Sequence, residues 1–394
     1  MKYIILILFI FLTNLNSEVL TGLESLIEND FSDIKDKKVG VIINHTSVNK
    51  DGERLIDIFI KNKINLVAIF TPEHGFFGNV EGGYSIENST YNSIPIYSLY
   101  GKTQRVSDEM LKNIDVLVFD IQDVGARFYT YLTTMGYAME EAAKRKIEFI
   151  VLDRPNPVGD KIEGAVLNED ISSFTAYFKV PTRHSLTAGE MAFFHKKRMK
   201  LDLDLKVIKM KGYKRNMFYD ETGLKWINPS PNIRNINAAV LYSGIGCFEA
   251  TNISVGRGTD IPFEFFGAPW MDNVEISKEL NKKNMKGVNF SPCERTPEAD
   301  LYKGENVKGI CVNVYEKKDV RSFDVFVNSI YLINKNHPDK LIIKEDEISK
   351  MVGDKEFYEM IKKGKNPEYI IKKYRKGLKK FEKFINSEKI KLYR

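Results

Sequence analysis

The chain has 394 residues, 43% of them hydrophobic and 28% charged, so it can bury a large core and is expected to fold as two domains of an ordinary globular protein. Its formal charge of +6 is unevenly placed: positions 362 to 394 hold thirteen Lys or Arg and three Glu, a balance of +10, and the rest carries −4. Nothing in that distribution reads as a nucleic-acid module.

At the N-terminus Lys2 precedes an apolar run from Tyr3 to Leu12, and small and polar residues follow up to Ser17. This is the pattern of a secretory signal peptide over 1–17. The run is too short for a comfortable membrane span, and no cysteine follows it to carry a lipid anchor. Cleavage near Ser17 is expected to leave a protein without a membrane span, periplasmic or secreted. Of the three cysteines, Cys293 and Cys311 are able to pair, but no zinc-type spacing exists. Three buried small apolar residues is the reading we favour for Cys247, Cys293 and Cys311.

Short β-rich runs then alternate with helical stretches: VGVII (39–43), LVAIF (66–70), IPIYSL (94–99), VLVFD (116–120), FIVLD (149–153) and LKVIK (205–209). Helices are expected over ERLIDIFIKN, SDEMLKN, about Tyr129 to Lys144, and TAGEMAFFHKKRM, where Thr187 and Glu190 make a capping-box pattern. This rhythm predicts an α/β fold with a Rossmann-like, mainly parallel sheet over 18–245. From 246 to 394 a second, smaller α+β domain is expected. It ends in a basic amphipathic helix with Ile370, Tyr374, Leu378, Phe381 and Ile385 on one face. The opposite lysines read as a solvated face, or more sharply as an attraction to an anionic cell-envelope polymer.

In such sheets ligands bind beyond the carboxyl ends of the strands. The unusual residues follow the strands: NHTS with Asn44, TPEHG with Glu73 and His74, DIQDVGARFYTY with Asp120, Asp123, Arg127 and Tyr129, and DRPNP with Asp153, Arg154 and Asn156. Later come Arg183 and His184 in VPTRHSLTAGE, Asn228 and Asn232 in INPSPNI, and Glu249, Asn252 and Arg257 in a glycine-rich stretch before Trp270. Each alone suits a cap or stiff turn; together they point to one pocket on the rim, in the cleft between domains. GKT at Gly101 to Thr103 is no P-loop, because Ile96 stands where the motif needs glycine, and the first strand lacks GxGxxG. Neither GxSxG nor HExxH occurs, which leaves carboxylates as the chemical resource. No cofactor is implied.

GVIINHTSVNKDG, TPEHGFFG, PIYSLYG, DVLVFDIQDVGARFYTY, VLDRPNPVG, VPTRHSLTAGE, PSPNI and FEATNISVGRGTDIPFEFFGAPW, in that order, resemble the exo-β-N-acetylmuramidase (NamZ-like) family of bacterial cell-wall hydrolases. The resemblance implies release of N-acetylmuramic acid from the non-reducing end of peptidoglycan fragments, with muramoglycans as partners. One departure is Ala250, where the family pattern has glycine. Under this reading Glu73 is the general acid, His74 orients it or holds substrate, and Asp120, Asp123, Asp153 and Glu249 are candidates for the second carboxylate. Asn44, Tyr129, Arg154, Asn156, His184, Asn228, Asn232 and Asn252 are candidates to bind substrate. Arg127, Arg183 and Arg257 are candidates for the lactyl carboxylate, which a guanidinium fork suits. Two other readings use the same residues: a metal-dependent hydrolase with His74, Asp120, Asp123 and His184 as ligands, and a wall-binding protein that holds sugars without cleaving them.

Overall fold

The computed structural model describes residues 18–80, 83–84 and 87–394; the segment read as a signal peptide lies outside them. The first half contains α1 (Gly22–Glu28), β1 (Val39–Ile43), α2 (Leu55–Lys61), β2 (Leu66–Thr71), β3 (Ser89–Tyr91), β4 (Ile94–Ser98), α3 (Asp108–Leu111), β5 (Val116–Asp120), α4 (Tyr131–Arg145), β6 (Glu148–Leu152), α5 (Ala188–Met199) and β7 (Leu205–Ile208). The second contains α6 (Ile236–Ile245), β8 (Phe265–Gly267), α7 (Asn273–Asn281), β9 (Val288–Arg295), β10 (Val307–Val314), α8 (Ser322–Asn336), α9 (Glu345–Val352), α10 (Glu356–Lys362) and α11 (Pro367–Ser387).

Seven strands form one sheet in the order β3-β4-β2-β1-β5-β6-β7, parallel except for the β3–β4 hairpin. A second, antiparallel sheet has the order β8-β10-β9. Without β3, the large sheet has the Rossmann order, which reverses between β1 and β5. At that switch point the loops after β1 and β5 part, and Asn44 and Asp123 lie just beyond the two strands.

The strands form because their residues are apolar on both faces, as a sheet covered on both sides requires. Val41, Ile43, Val116, Val118 and Ile150 pack with Leu23 and Leu26 of α1 and Ile56 and Phe59 of α2. Ile42, Leu117, Phe119, Phe149 and Val151 pack on the other face with Met135 and Met139 of α4 and Met191 of α5. This second core continues without interruption into α6, α8 and the small sheet. Helix α11 buries Ile370, Tyr374, Phe381 and Ile385, as the periodicity predicts. Ala250 ends a 3₁₀ turn, Gly246–Ala250, and is not among the positive-φ residues, so the missing glycine costs no backbone strain there.

The cysteine reading needs correction. Cys293 and Cys311 form a disulfide between β9 and β10, with Cα atoms 5.9 Å apart. Their 18-residue separation gives no hint that the two fall on paired strands; only the sheet register does. Cys247 is free and buried, as expected.

Asp153, at the end of β6, ties the C-terminus to the sheet. Its carboxylate accepts from Gly189 N (2.8 Å) and Thr187 Oγ1 (2.8 Å) at the start of α5, and from Tyr393 Oη (2.7 Å). Complete burial outweighs these bonds and pushes the carboxyl up to about 7. In the folded state it therefore keeps a proton that the unfolded chain loses near pH 4. The associated stability is fully present below about pH 4 and lost as pH rises to about 7. Asp153→Asn is expected to flatten the fall in Tm over this window, measured as the difference between variant and parent melting curves at each pH. Parallel curves would show that Asp153 is ionised throughout.

Candidate active site

β2 delivers Glu73 and His74 to the carboxyl rim of the sheet. Two left-handed residues in succession, His74 (φ 68°) and Gly75 (φ 72°), turn the chain sharply there. Gly75 N–H donates back to Pro72 O at 3.1 Å. Gly78 (φ 69°) lies against the His45 ring, where a Cβ would stand 1.8 Å from Nδ1, so only glycine fits. Glu73 is held by donors from two sides: Thr130 Oγ1 donates to Oε2 at 2.7 Å, and Gly83 N–H to Oε1 at 3.1 Å. Thr130 is the N-cap residue of α4, yet its hydroxyl makes no capping bond and is spent on Glu73. Burial, then the Glu73 charge, pushes the nearby Tyr100 phenol above its ordinary value.

His74 Nδ1 lies 2.6 Å from Val80 O, so that nitrogen carries the proton, and its ring meets Tyr131 edge-on at 6.3 Å. His45 donates from Nε2 to Asn228 O at 2.7 Å; burial pulls its pKa down and favours the neutral ring.

Behind Glu73 stands a tyrosine cluster. Tyr129 packs on Tyr131 at 4.7 Å and on Tyr242 at 5.8 Å, and Tyr242 packs on Phe263 at 4.7 Å. Burial pushes all three phenols up. The charges of Asp123 and Glu73 add to the effect on Tyr129, and those of Glu249 and Glu73 on Tyr242. Glu73, Asp123 and Glu249 therefore lie within electrostatic reach of one cluster whose hydroxyls stay protonated at any working pH. Asp123 Oδ2 accepts from Gly125 N at 2.7 Å and stands 3.6 Å from His184 Nε2, while Oδ1 is buried without a hydrogen-bond partner among the described residues. His184 Nδ1 accepts from Leu186 N at 3.1 Å, which places the ring proton on Nε2, facing Asp123. Glu249 accepts from Arg257 Nε at 2.6 Å, and that guanidinium also lies over Phe263.

Other candidates are occupied elsewhere. Asp120 is fully buried and bound by Arg154 through two bonds of 2.5 and 2.9 Å. Asp153 is committed to α5 and Tyr393. Arg127 is buried against four carbonyls, Ala165, Val180, Lys350 and Met351, and so caps the last turn of α9. Arg183 is fully buried against Glu163 and Val158 O. Asn156 bridges Leu186 O and Val158 N, and Asn252 bridges Lys340 O and Ile342 N, so both pin loops. Asn228 accepts from Trp226 Nε1 at 3.1 Å and Asn44 from Thr46 N at 2.9 Å; Asn232 is buried.

His74, Asp120, Asp123 and His184, the set considered for a metal, do not converge. Among the described residues no group of three or more His, Cys, Asp or Glu is placed to hold a metal ion. Sequence reasoning missed His45, Tyr100, Thr130, Tyr131 and Tyr242. The first four stand inside quoted motifs, and His45, Thr130 and Tyr131 lie within two residues of Asn44 or Tyr129; Tyr242 lies in α6 and reads only as a core residue.

A Rossmann sheet with carboxylates and tyrosines at its switch-point rim, and with no glycine loop for a phosphate, defines a class of α/β protein built around carboxylate chemistry. The chain belongs to the exo-β-N-acetylmuramidase NamZ family: the model of its N-terminal part matches residues 39–237 and that of its C-terminal part residues 240–393. It is 38% identical over 371 residues, 93% of this chain and 90% of the relative, to the peptidoglycan β-N-acetylmuramidase NamZ of Bacillus subtilis (strain 168). Two solved structures of DUF1343 family proteins from Bacteroides fragilis NCTC 9343 are similar to it. One has a TM-score of 0.89 at 36% identity, the other 0.78 at 30%; each comparison covers 96% of this chain and 99% of the other.

Proposed function

We propose that this chain is a glycoside hydrolase that releases N-acetylmuramic acid from the non-reducing end of peptidoglycan fragments. The observation that carries the reading is the gathering of Glu73, Asp123 and Glu249 around Tyr129 and Tyr242, in a chain whose relative is named for that activity. Glycoside hydrolysis uses one carboxyl to protonate the leaving oxygen and a second as nucleophile, as base for water, or to orient a reacting N-acetyl group. Glu73 donates the proton, and Thr130 and Gly83 N–H stabilise the carboxylate left behind. Asp123 and Glu249 are the carboxylates available for the second role. The sugar lies in a cleft between the sheet rim and the segment that carries Glu249 and Arg257. Two features support export: the signal-like pattern of residues 1–17, and the Cys293–Cys311 bond, of a kind that persists in oxidising compartments.

The direct test is incubation with a short muramoglycan bearing a non-reducing N-acetylmuramic acid. Free N-acetylmuramic acid is the expected product, and none after prolonged incubation would leave a sugar-binding protein. Selectivity gives a finer test. Of the three arginines considered for the lactyl group, Arg257 is the one at the site, with a side chain 23% exposed. Arg257→Ala is expected to lower kcat/KM for a muramoside by about tenfold or more, the scale of one charge-assisted contact. A matched glucosaminide, which lacks the lactyl carboxylate, should lose less. An unchanged ratio between the substrates would assign lactyl recognition to other groups.

A further inference from the structure

Two adjoining cavities, of about 260 and 370 Å³, lie away from Glu73 and share Arg321 and Asp324 as walls. Arg375 of α11 and Glu163 line the first, and Lys161, Lys286 and Asp319 line the second, so four cations stand with three carboxylates. Arg321 and Arg375 are exposed, and their side chains make no hydrogen bond or ion pair among the described residues. Lys161 reaches Lys318 O and stands 4.0 Å from Asp319. Even so its ammonium is pulled below its ordinary value, first by burial and then by the Arg321 charge. Glu163 is bound by Arg183 and Asp319 stands beside Lys161, so Arg321 and Arg375 face Asp324, two cations to one carboxylate, a surplus that a bound anion balances.

The basic surface continues beside the groove. Lys372, Lys376, Lys379 and Lys383 are exposed on the face of α11 opposite Ile370, Tyr374, Phe381 and Ile385, without an acidic partner among the described residues. At steps of four, three and four they form one stripe about 16 Å long, from the helical rise. Arg375 is three residues from Lys372 and four from Lys379, so groove and stripe meet there.

We propose that this groove and the lysine stripe form a docking surface for a carboxylate-bearing chain, the peptide-substituted glycan of the cell wall, separate from the site around Glu73. The choice of polymer rests on the reading of the protein as a wall hydrolase; the cationic groove does not. Docking of the polymer here raises the local concentration of chain ends without taking part in bond cleavage.

The test uses the full chain, the double variant Arg321→Glu/Arg375→Glu, and a variant with the four stripe lysines changed to glutamate. Co-sedimentation with purified sacculi at low salt is expected to weaken about tenfold for either variant, with a smaller difference at higher salt as screening sets in. Turnover of a small chromogenic muramoside should stay within about twofold, which also reports that the variants fold. Poly-L-glutamate is expected to displace the protein from sacculi better than inorganic polyphosphate. Co-sedimentation of the double variant equal to the parent would overturn the proposal. So would equal loss of muramoside turnover, which would make the groove part of the cleavage site. Stronger displacement by polyphosphate would assign the surface to a phosphodiester polymer instead. A parent protein that docks on sacculi but turns over no muramoside would leave docking standing and remove the hydrolase reading.

Discussion

Glu73→Gln is expected to keep the fold and the sugar affinity while lowering kcat by about 10² to 10⁴, the contribution of a positioned acid or base. The amide preserves much of the local geometry: its oxygen can still accept from Gly83 N–H, and the Thr130 hydroxyl can rotate to accept from the new NH₂. The amide cannot deliver a proton to the glycosidic oxygen. Two measurements separate this from structural damage: an unchanged melting temperature, and an unchanged dissociation constant for a non-cleaved muramoside. A substrate with a very good leaving group needs little protonation and should be cleaved by the variant closer to the parental rate. A variant that keeps more than about a third of parental kcat on an ordinary substrate would remove Glu73 from the acid role. Glu249→Gln and Asp123→Asn, made in parallel, then divide the second role between the two carboxylates that share the tyrosine cluster.

The sheet was legible because the strands are apolar on both faces and the helices between them are not. β1 and β5 fall on the stretches read from the sequence, β2, β4 and β7 differ by a residue at one end, and β6 is displaced by one residue. The rim loops were legible for a related reason: glycine and proline beside charged residues mark places where the chain turns sharply with polar groups to place. What cannot be read in such a loop is where each side chain turns. Glu73 and Asp153 both follow a strand in motifs of similar look, yet one sits beside the tyrosine cluster and the other is sealed under Tyr393. The phenol that seals Asp153 comes from the far end of the chain, 240 residues away, so no local pattern announces it. The same limit hid the roles of Tyr100 and Thr130. A hydroxyl that would ordinarily cap α4 becomes a ligand of Glu73 only because β2 ends next to that helix.

The arginines show the limit most clearly, and Arg183 gives it a measurable form. It stands in a family motif beside His184, which invites a substrate role, yet it is 0% exposed. Its guanidinium donates to Glu163 Oε1 at 2.6 Å and to Val158 O, and Glu163 Oε2 accepts from Phe323 N at 3.1 Å at the start of α8. The pair thus joins the segment after β6 to α8, the helix that packs on α6 and α11. Removing one partner of such a pair strands a buried charge and costs about 3–5 kcal/mol. Arg183→Ala is therefore expected to lower Tm by about 5 °C, given a little over ~1 °C per kcal/mol in a chain of this size. Replacing both partners, as Arg183→Met with Glu163→Leu, leaves no unpaired charge and should recover much of the loss, since burying the ion pair was itself costly. Below its melting range Arg183→Ala should retain the parental preference for muramoside over glucosaminide, because nothing that faces the sugar has changed. A stable Arg183→Ala protein with that preference altered would mean that the arginine leaves Glu163 to meet the substrate, and the assignment of lactyl recognition to Arg257 would fall with it.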